Sequence, residues 1–192
     1  MRTQTNLPGT VRRIVLTGFM GAGKSTIGDL LAQRLRWQFV DTDAVIEARV
    51  GLSIARIFAE QGESVFRALE AQAIRDHVQA DEVVLALGGG AVESEGAREA
   101  LSAMKDGCVV FLDAPLEVLL ARCLSQPGAA ERPILRDRDR LKDRLAARLP
   151  HYRSAHLTVT TEGMTPERVT RSIVEALASC RILLRKDNVS RR

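Results

Sequence analysis

The chain has 192 residues, 45% of them hydrophobic and 27% charged, with a formal net charge of +4. That is enough apolar material for one full core and too little for two, so a single domain over 1–192 is expected, with its core at about 11–180 and flexible basic ends at 1–10 and 181–192. The longest apolar runs, Val83 to Leu87 and Val109 to Leu112, fall well short of the roughly 20 residues of a membrane span, and the opening MRTQTNLPGTVRR lacks an apolar signal core. Neither a membrane nor an export signal is expected, and the default compartment is the cytoplasm. Cys108, Cys123 and Cys180 have neither metal nor disulfide spacing. With one Trp, one Tyr and no basic stripe interleaved with aromatics, nucleic acid is not an expected partner. The positive charge suits a small anionic ligand, and a monomer is expected.

Short apolar runs alternate with helical periodicity along the chain, the pattern of an α/β fold with a parallel sheet. VRRIVLTG reads as a first strand. From Ser25 to Leu35, Ile27, Leu30, Leu31 and Leu35 fall on one helical face. WQFVDTD reads as a second strand, followed by a helical region that opens at Ser53 and breaks at Gly62. Beyond the break, Val65, Phe66, Leu69 and Ala73 form an apolar stripe, with Arg67 on another face. EVVLALGGG and GCVVFLDA are further strands with a helix between them. SQPGAAERPILRDRDR mixes Pro, Gly and dense charge without periodicity and is expected to be a mobile lid, about 125–138. A last strand, HLTVT, and a helix from about Pro166 to Ser179 follow.

Between the first strand and its helix, Gly18 to Thr26 (GFMGAGKST) fits G-x-x-x-x-G-K-[ST], a P-loop in its required strand-to-helix context. In such a loop the backbone N–H groups of Gly21, Ala22, Gly23, Lys24, Ser25 and Thr26 converge on the phosphates of ATP. Lys24 bridges the β- and γ-phosphates, and the Ser25 hydroxyl ligates Mg²⁺. A P-loop alone also fits a GTPase switch, an ATPase motor or a nucleotide-dependent binding module. No Asn/Thr-Lys-x-Asp guanine-reading motif is present and the length leaves little room for motor elements, so a small-molecule kinase leads.

Asp41-Thr42-Asp43 ends the second strand, where α/β folds bind ligands. Residues two apart on an extended segment point the same way, so Asp41 could hold Mg²⁺ through water and Asp43 could accept from the attacking hydroxyl. The segment fits equally well as an N-cap for a helix beginning near Ala44. Gly88-Gly89-Gly90 permits close backbone approach to a ligand, or a plain turn. Arg67, Arg122, Arg132 and Arg153 each lie beside a loop or helix near the presumed cleft, where a planar guanidinium can grip carboxylate or phosphate. His77, His151 and His156 are read as surface or packing residues.

GFMGAGKST, DTD, FRALE, LGGGAV, ERPIL and the HYR segment together resemble the shikimate kinase family, in order and spacing, from about Arg13 to Ser179. The resemblance implies a P-loop NTPase fold of the nucleoside-monophosphate-kinase type, a five-stranded parallel sheet flanked by helices. It also implies ATP-dependent phosphorylation of the shikimate 3-hydroxyl, in aromatic amino-acid biosynthesis. Asp43 would then bind the ring hydroxyls, Arg67 and Arg153 would clamp the carboxylate, and Gly89 and Gly90 would complete the substrate pocket. Phe58 and Phe66 would be pocket walls or simply core. Arg132 would close over the γ-phosphate, with Arg122 and Pro166 flanking the adenine. The lid reads RPIL where RPLL is commoner in the family, a conservative change. A kinase for gluconate or a nucleoside monophosphate is the nearest rival.

Overall fold

The computed structural model describes residues 11–125 and 137–189, with side chains to residue 179. Strand β1 (Arg13–Thr17) leads through the glycine-rich loop into helix α1 (Lys24–Leu35). β2 (Gln38–Asp41) is followed by α2 (Thr42–Val50), α3 (Ile54–Glu60) and α4 (Glu63–His77). β3 (Val83–Ala86), a 3-10 turn at Ala91–Glu93 and α5 (Glu95–Ser102) come next. β4 (Gly107–Asp113), α6 (Leu116–Leu124), α7 (Arg138–Arg153), β5 (Leu157–Thr160) and α8 (Pro166–Val189) complete the order.

The five strands form one parallel sheet in the order β2-β3-β1-β4-β5, the α/β architecture expected from the alternation of runs. Within β1 the pleat divides the core. Ile14 and Leu16 pack with Leu31 of α1, Leu119 of α6 and Ile173 of α8 on one face, while Val15 joins Ile74 of α4 and Ala97 of α5 on the other. Leu31 is fully buried, so Leu31→Ala would cost about 2–5 kcal/mol. Among the described residues no helix is long and apolar enough to cross a membrane.

Local signals set the helix boundaries. The Ser53 hydroxyl accepts from the Arg56 N–H to cap α3, and Gly62, at φ 86°, separates α3 from α4. Three boundaries and one stripe differ from expectation. The helix placed near Ala44 starts at Thr42, capped by Asp41. Arg138, at the end of the expected lid of about 125–138, is already the first residue of α7, because Asp137 accepts from the Arg140 N–H. The last helix runs past Ser179 to Val189, since 180–189 contain neither Gly nor Pro to stop it. In α4 the stripe is rotated. Val65 is exposed while Glu70 is buried beside Phe66, a charge admitted to the interior because it pairs with Arg67.

Candidate active site

Three loops leave the carboxyl ends of β1, β2 and β3 side by side. Gly23 caps α1 at φ 90°, a left-handed turn that a residue with a Cβ adopts only at a cost. The main chain of Gly21, Ala22 and Gly23 therefore leads directly into the positive end of α1, with Ser25 and Thr26 exposed on its first turn. Lys24 folds back so that Nζ donates to the Gly18 carbonyl at 2.9 Å and the Phe19 carbonyl at 3.1 Å. Burial pushes its pKa down to about 8, against the opposing pull of Asp43 and Asp41.

Ser25 Oγ donates to Asp41 Oδ2 at 2.6 Å, so the two residues expected to serve a metal are in direct contact. The other oxygen, Asp41 Oδ1, accepts from the Asp43 N–H at 3.0 Å. The capping role and the site role considered for Asp41 thus use different atoms of one carboxylate. Between them, Thr42 is fully buried. Its hydroxyl donates to the Ala86 carbonyl at 3.2 Å and accepts from the Gly88 N–H at 3.0 Å, fastening the end of β2 to the end of β3.

Asp43 Oδ1 and Glu70 Oε1 are buried and have no hydrogen-bond partner among the described residues. A Cβ placed on Gly88 would lie 2.5 Å from Glu70 Oε1 and 2.7 Å from Asp43 Oδ1, so the two orphan oxygens converge on that glycine. Burial and the neighbouring charge of Asp41 raise the Asp43 pKa, and burial raises that of Glu70 against the pull of Arg67. Two buried acceptors without donors are suited to a ligand that brings hydroxyl groups.

Arg67 donates to Glu70 Oε2 at 2.8 Å and to Glu63 Oε1 at 3.1 Å, and it lies over the Phe66 ring at 5.4 Å. A Cβ on Gly90 would stand 2.5 Å from its Nη2, so the guanidinium fits only because that position is bare. Phe66 is core; Phe58 packs against it with ring centroids 4.6 Å apart and planes tilted by 34°, and is itself exposed.

The second guanidinium at the cleft differs from the one expected. Arg153 is exposed, whereas Arg148, five residues earlier on α7, is 5% exposed, lies 5.6 Å over the ring of Phe19 in the phosphate loop, and donates to Glu93 Oε2 at 2.8 Å. Arg67 Nη2 reaches the same Glu93 oxygen at 3.4 Å. The reason is helical phase. Tyr152, buried and stacked on Phe111, donates its hydroxyl to the Gly89 carbonyl and turns its face of α7 inward. Arg148, at i−4, shares that face, whereas Arg153 follows Tyr152 by about 100° and looks outward.

Arg122 spans the other end of the loop, donating to Thr161 Oγ1 at 2.8 Å, the Thr161 carbonyl at 2.6 Å and the Gly21 carbonyl at 3.5 Å. Pro166 is the exposed first residue of α8. Arg132 lies outside the described residues. Reading of the sequence alone missed Arg148, Glu70 and Glu93. The signal available for the first was its spacing from Tyr152, and for the second its spacing of three from Arg67 on one helix.

A family model described as shikimate kinase matches residues 20–178. Curated shikimate kinases from Thermus thermophilus (43% identical, covering 89% of this chain and 92% of the relative) and Halorhodospira halophila (46%, 88% and 94%) are similar along nearly their full lengths. A solved structure of shikimate kinase from Acinetobacter baumannii in complex with shikimate superposes with a TM-score of 0.81 at 36% identity, covering 88% of this chain and 94% of that one. The Aquifex aeolicus shikimate kinase gives 0.75 at 39% identity, with 86% and 95% covered. A phosphate loop facing paired guanidiniums across orphan carboxylates, on this sheet and with these relatives, places the chain in the shikimate kinase family.

Proposed function

We propose that the chain transfers the γ-phosphoryl group of ATP to the 3-hydroxyl of shikimate, giving shikimate 3-phosphate and ADP, a step of aromatic amino-acid biosynthesis. One observation carries this reading. A Cβ on Gly89 would lie 3.4 Å from the Met20 N and 3.7 Å from the Gly18 carbonyl oxygen, and one on Gly88 2.7 Å from Asp43 Oδ1, so the phosphate loop and the acceptor residues meet at one run of bare main chain.

Shikimate carries a carboxylate and ring hydroxyls, and the crevice offers a match to each. Arg67 and Arg148 supply the carboxylate grip, with Gly89 and Gly90 as the close-approach backbone between them. The Asp43 carboxylate accepts from the reacting hydroxyl and aligns its oxygen with the γ-phosphorus, and its raised pKa suits it to take the proton as the bond forms. Lys24 leaves the Gly18 and Phe19 carbonyls and turns to the phosphates, meeting charge that spreads over the transferring oxygens.

Ser25 Oγ and Asp41 Oδ2, two hard oxygen donors already 2.6 Å apart at the head of α1, fit Mg²⁺. Bound there, Mg²⁺ would supply charge neutralisation between the β- and γ-phosphates. Arg122 and Pro166 are assigned to the adenine side and Arg132 to the γ-phosphate. The enzyme is read as a monomeric, cytoplasmic single-domain kinase.

Acceptor-dependent ADP release tests the reading. Shikimate should support turnover while gluconate and nucleoside monophosphates do not. Turnover with gluconate alone would replace it, and tight ATP binding without turnover on any acceptor would make the chain a binding module.

A further inference from the structure

Glu93, on the 3-10 turn that follows the three glycines, has no role in the reading above. It is nevertheless a carboxylate paired with both guanidiniums of the acid grip. A single oxygen, Oε2, accepts from Arg148 Nη2 at 2.8 Å and from Arg67 Nη2 at 3.4 Å, the geometry that an incoming carboxylate requires of the same two guanidiniums. Arg67 is further satisfied by Glu70 and Glu63, whereas Arg148 has Glu93 as its one ion-pair partner among the described residues. A substrate acid and Glu93 therefore compete for one pair of donors, and two carboxylates on the same forks repel.

The structure also shows where Glu93 could go. Its side chain is 38% exposed, so part of it faces solvent and not packed core. It lines a cavity of about 370 Å³ with Glu63, Arg67, Ser94 and Arg144. Arg144 sits one turn before Arg148 on α7, has no hydrogen-bond or ion-pair partner among the described residues, and already contributes to the field at Glu93. Burial works against the Glu93 charge, yet the hydrogen bond from Arg148 keeps its carboxyl below the ordinary range, so it is an anion at neutral pH.

Resting on the assignment of this crevice to an acidic acceptor, we propose that Glu93 is a built-in occupant of the acid grip. The substrate carboxylate displaces it towards Arg144, so Glu93 is a specificity-setting, positioning residue that holds the guanidiniums in place and lowers affinity for the acid. No covalent step is involved. The energy of the exchange is the difference between two ion-pair arrangements, and it falls on binding rather than on phosphoryl transfer.

The test uses the full chain, with shikimate titrated calorimetrically in the absence of nucleotide and steady-state kinetics run in parallel. Glu93→Gln keeps the shape and removes the charge, and it should lower both Kd and KM for shikimate about five- to tenfold, the effect falling on KM rather than kcat. Arg144→Ala should raise KM about threefold when Glu93 is present and have no effect in the Glu93→Gln background. An unchanged or raised Kd in Glu93→Gln overturns the proposal, because Glu93 would then only support Arg148 and not compete with the substrate acid for it. An equal effect of Arg144→Ala in both backgrounds overturns the handover. If the unmodified chain releases no ADP with shikimate, it is the functional reading that fails; normal turnover with an unmoved Kd in Glu93→Gln defeats this inference alone.

Discussion

Asp43→Asn separates the chemistry of the site from its cost in stability. Asp43 Oδ1 is shielded from water without a donor, and burial raises its pKa. Leaving a buried acceptor unsatisfied costs about 1–3 kcal/mol, and more when it is charged. The amide lifts that cost by removing the charge and by offering an NH₂ that can donate to the orphan Glu70 Oε1 beside it; against this stand the loss of an anion in the first turn of α2, about 0.5 kcal/mol, and a weaker attraction to Lys24, which Asp41 continues to neutralise. The balance favours the amide by about 1 kcal/mol, which raises Tm by about 2–4 °C for a chain of this size.

The sign follows from linkage. A carboxyl whose folded pKa is raised holds its proton more tightly when folded, so its contribution is full below the unfolded pKa and is lost as pH rises through the folded one. The advantage of Asp43→Asn should thus be absent near pH 4 and present at pH 7. Activity should move the other way, with kcat falling about 10²–10⁴-fold. Thermal unfolding of the ligand-free chain at both pH values, alongside ADP release, checks the pair. A Tm that drops at pH 7, or a kcat near the unmodified value, would refute the argument that function keeps an unfavourable charge in place.

Arg148→Ala should raise KM for shikimate about 10–100-fold, as expected for losing charge-assisted hydrogen bonds, while Arg153→Ala should stay within about twofold in steady-state assays. Gly90→Ala places a methyl 2.5 Å from Arg67 Nη2 and should raise KM for shikimate with little change in KM for ATP. With the Lys24 pKa near 8, its ammonium is charged below that pH and lost above it, so ATP affinity should be flat at pH 7 and fall towards tenfold per unit above about 8. A level profile to pH 9.5 in a calorimetric titration would count against Lys24 as a phosphate ligand.

The parts of this site that were legible in the sequence are those fixed by contiguous chain. Lys24, Ser25, Asp41, Asp43 and the three glycines sit at strand ends, where neighbours in sequence remain neighbours in space. Arg148 and Glu93 escaped because their roles arise when α7 crosses the 3-10 turn after β3, a contact between residues 55 apart in the chain. The HYR segment favoured Arg153, beside Tyr152, yet on a helix the adjacent residue is turned by about 100°, which takes it off the buried face. Glu70 was obscured by a simple rule of composition. A glutamate within an apolar stripe reads as the exposed edge of a helix until its arginine partner is placed beside it.

The hydroxyl of Thr42 has a mechanical consequence. By clasping a carbonyl before the glycine loop and an amide within it, this side chain makes the ends of β2 and β3 one rigid plate, and both Asp43 and Gly88 are mounted on it. The spacing of the Asp43 carboxylate from the main chain of Gly88 is therefore set by one side chain at the sheet edge rather than by the helices around it.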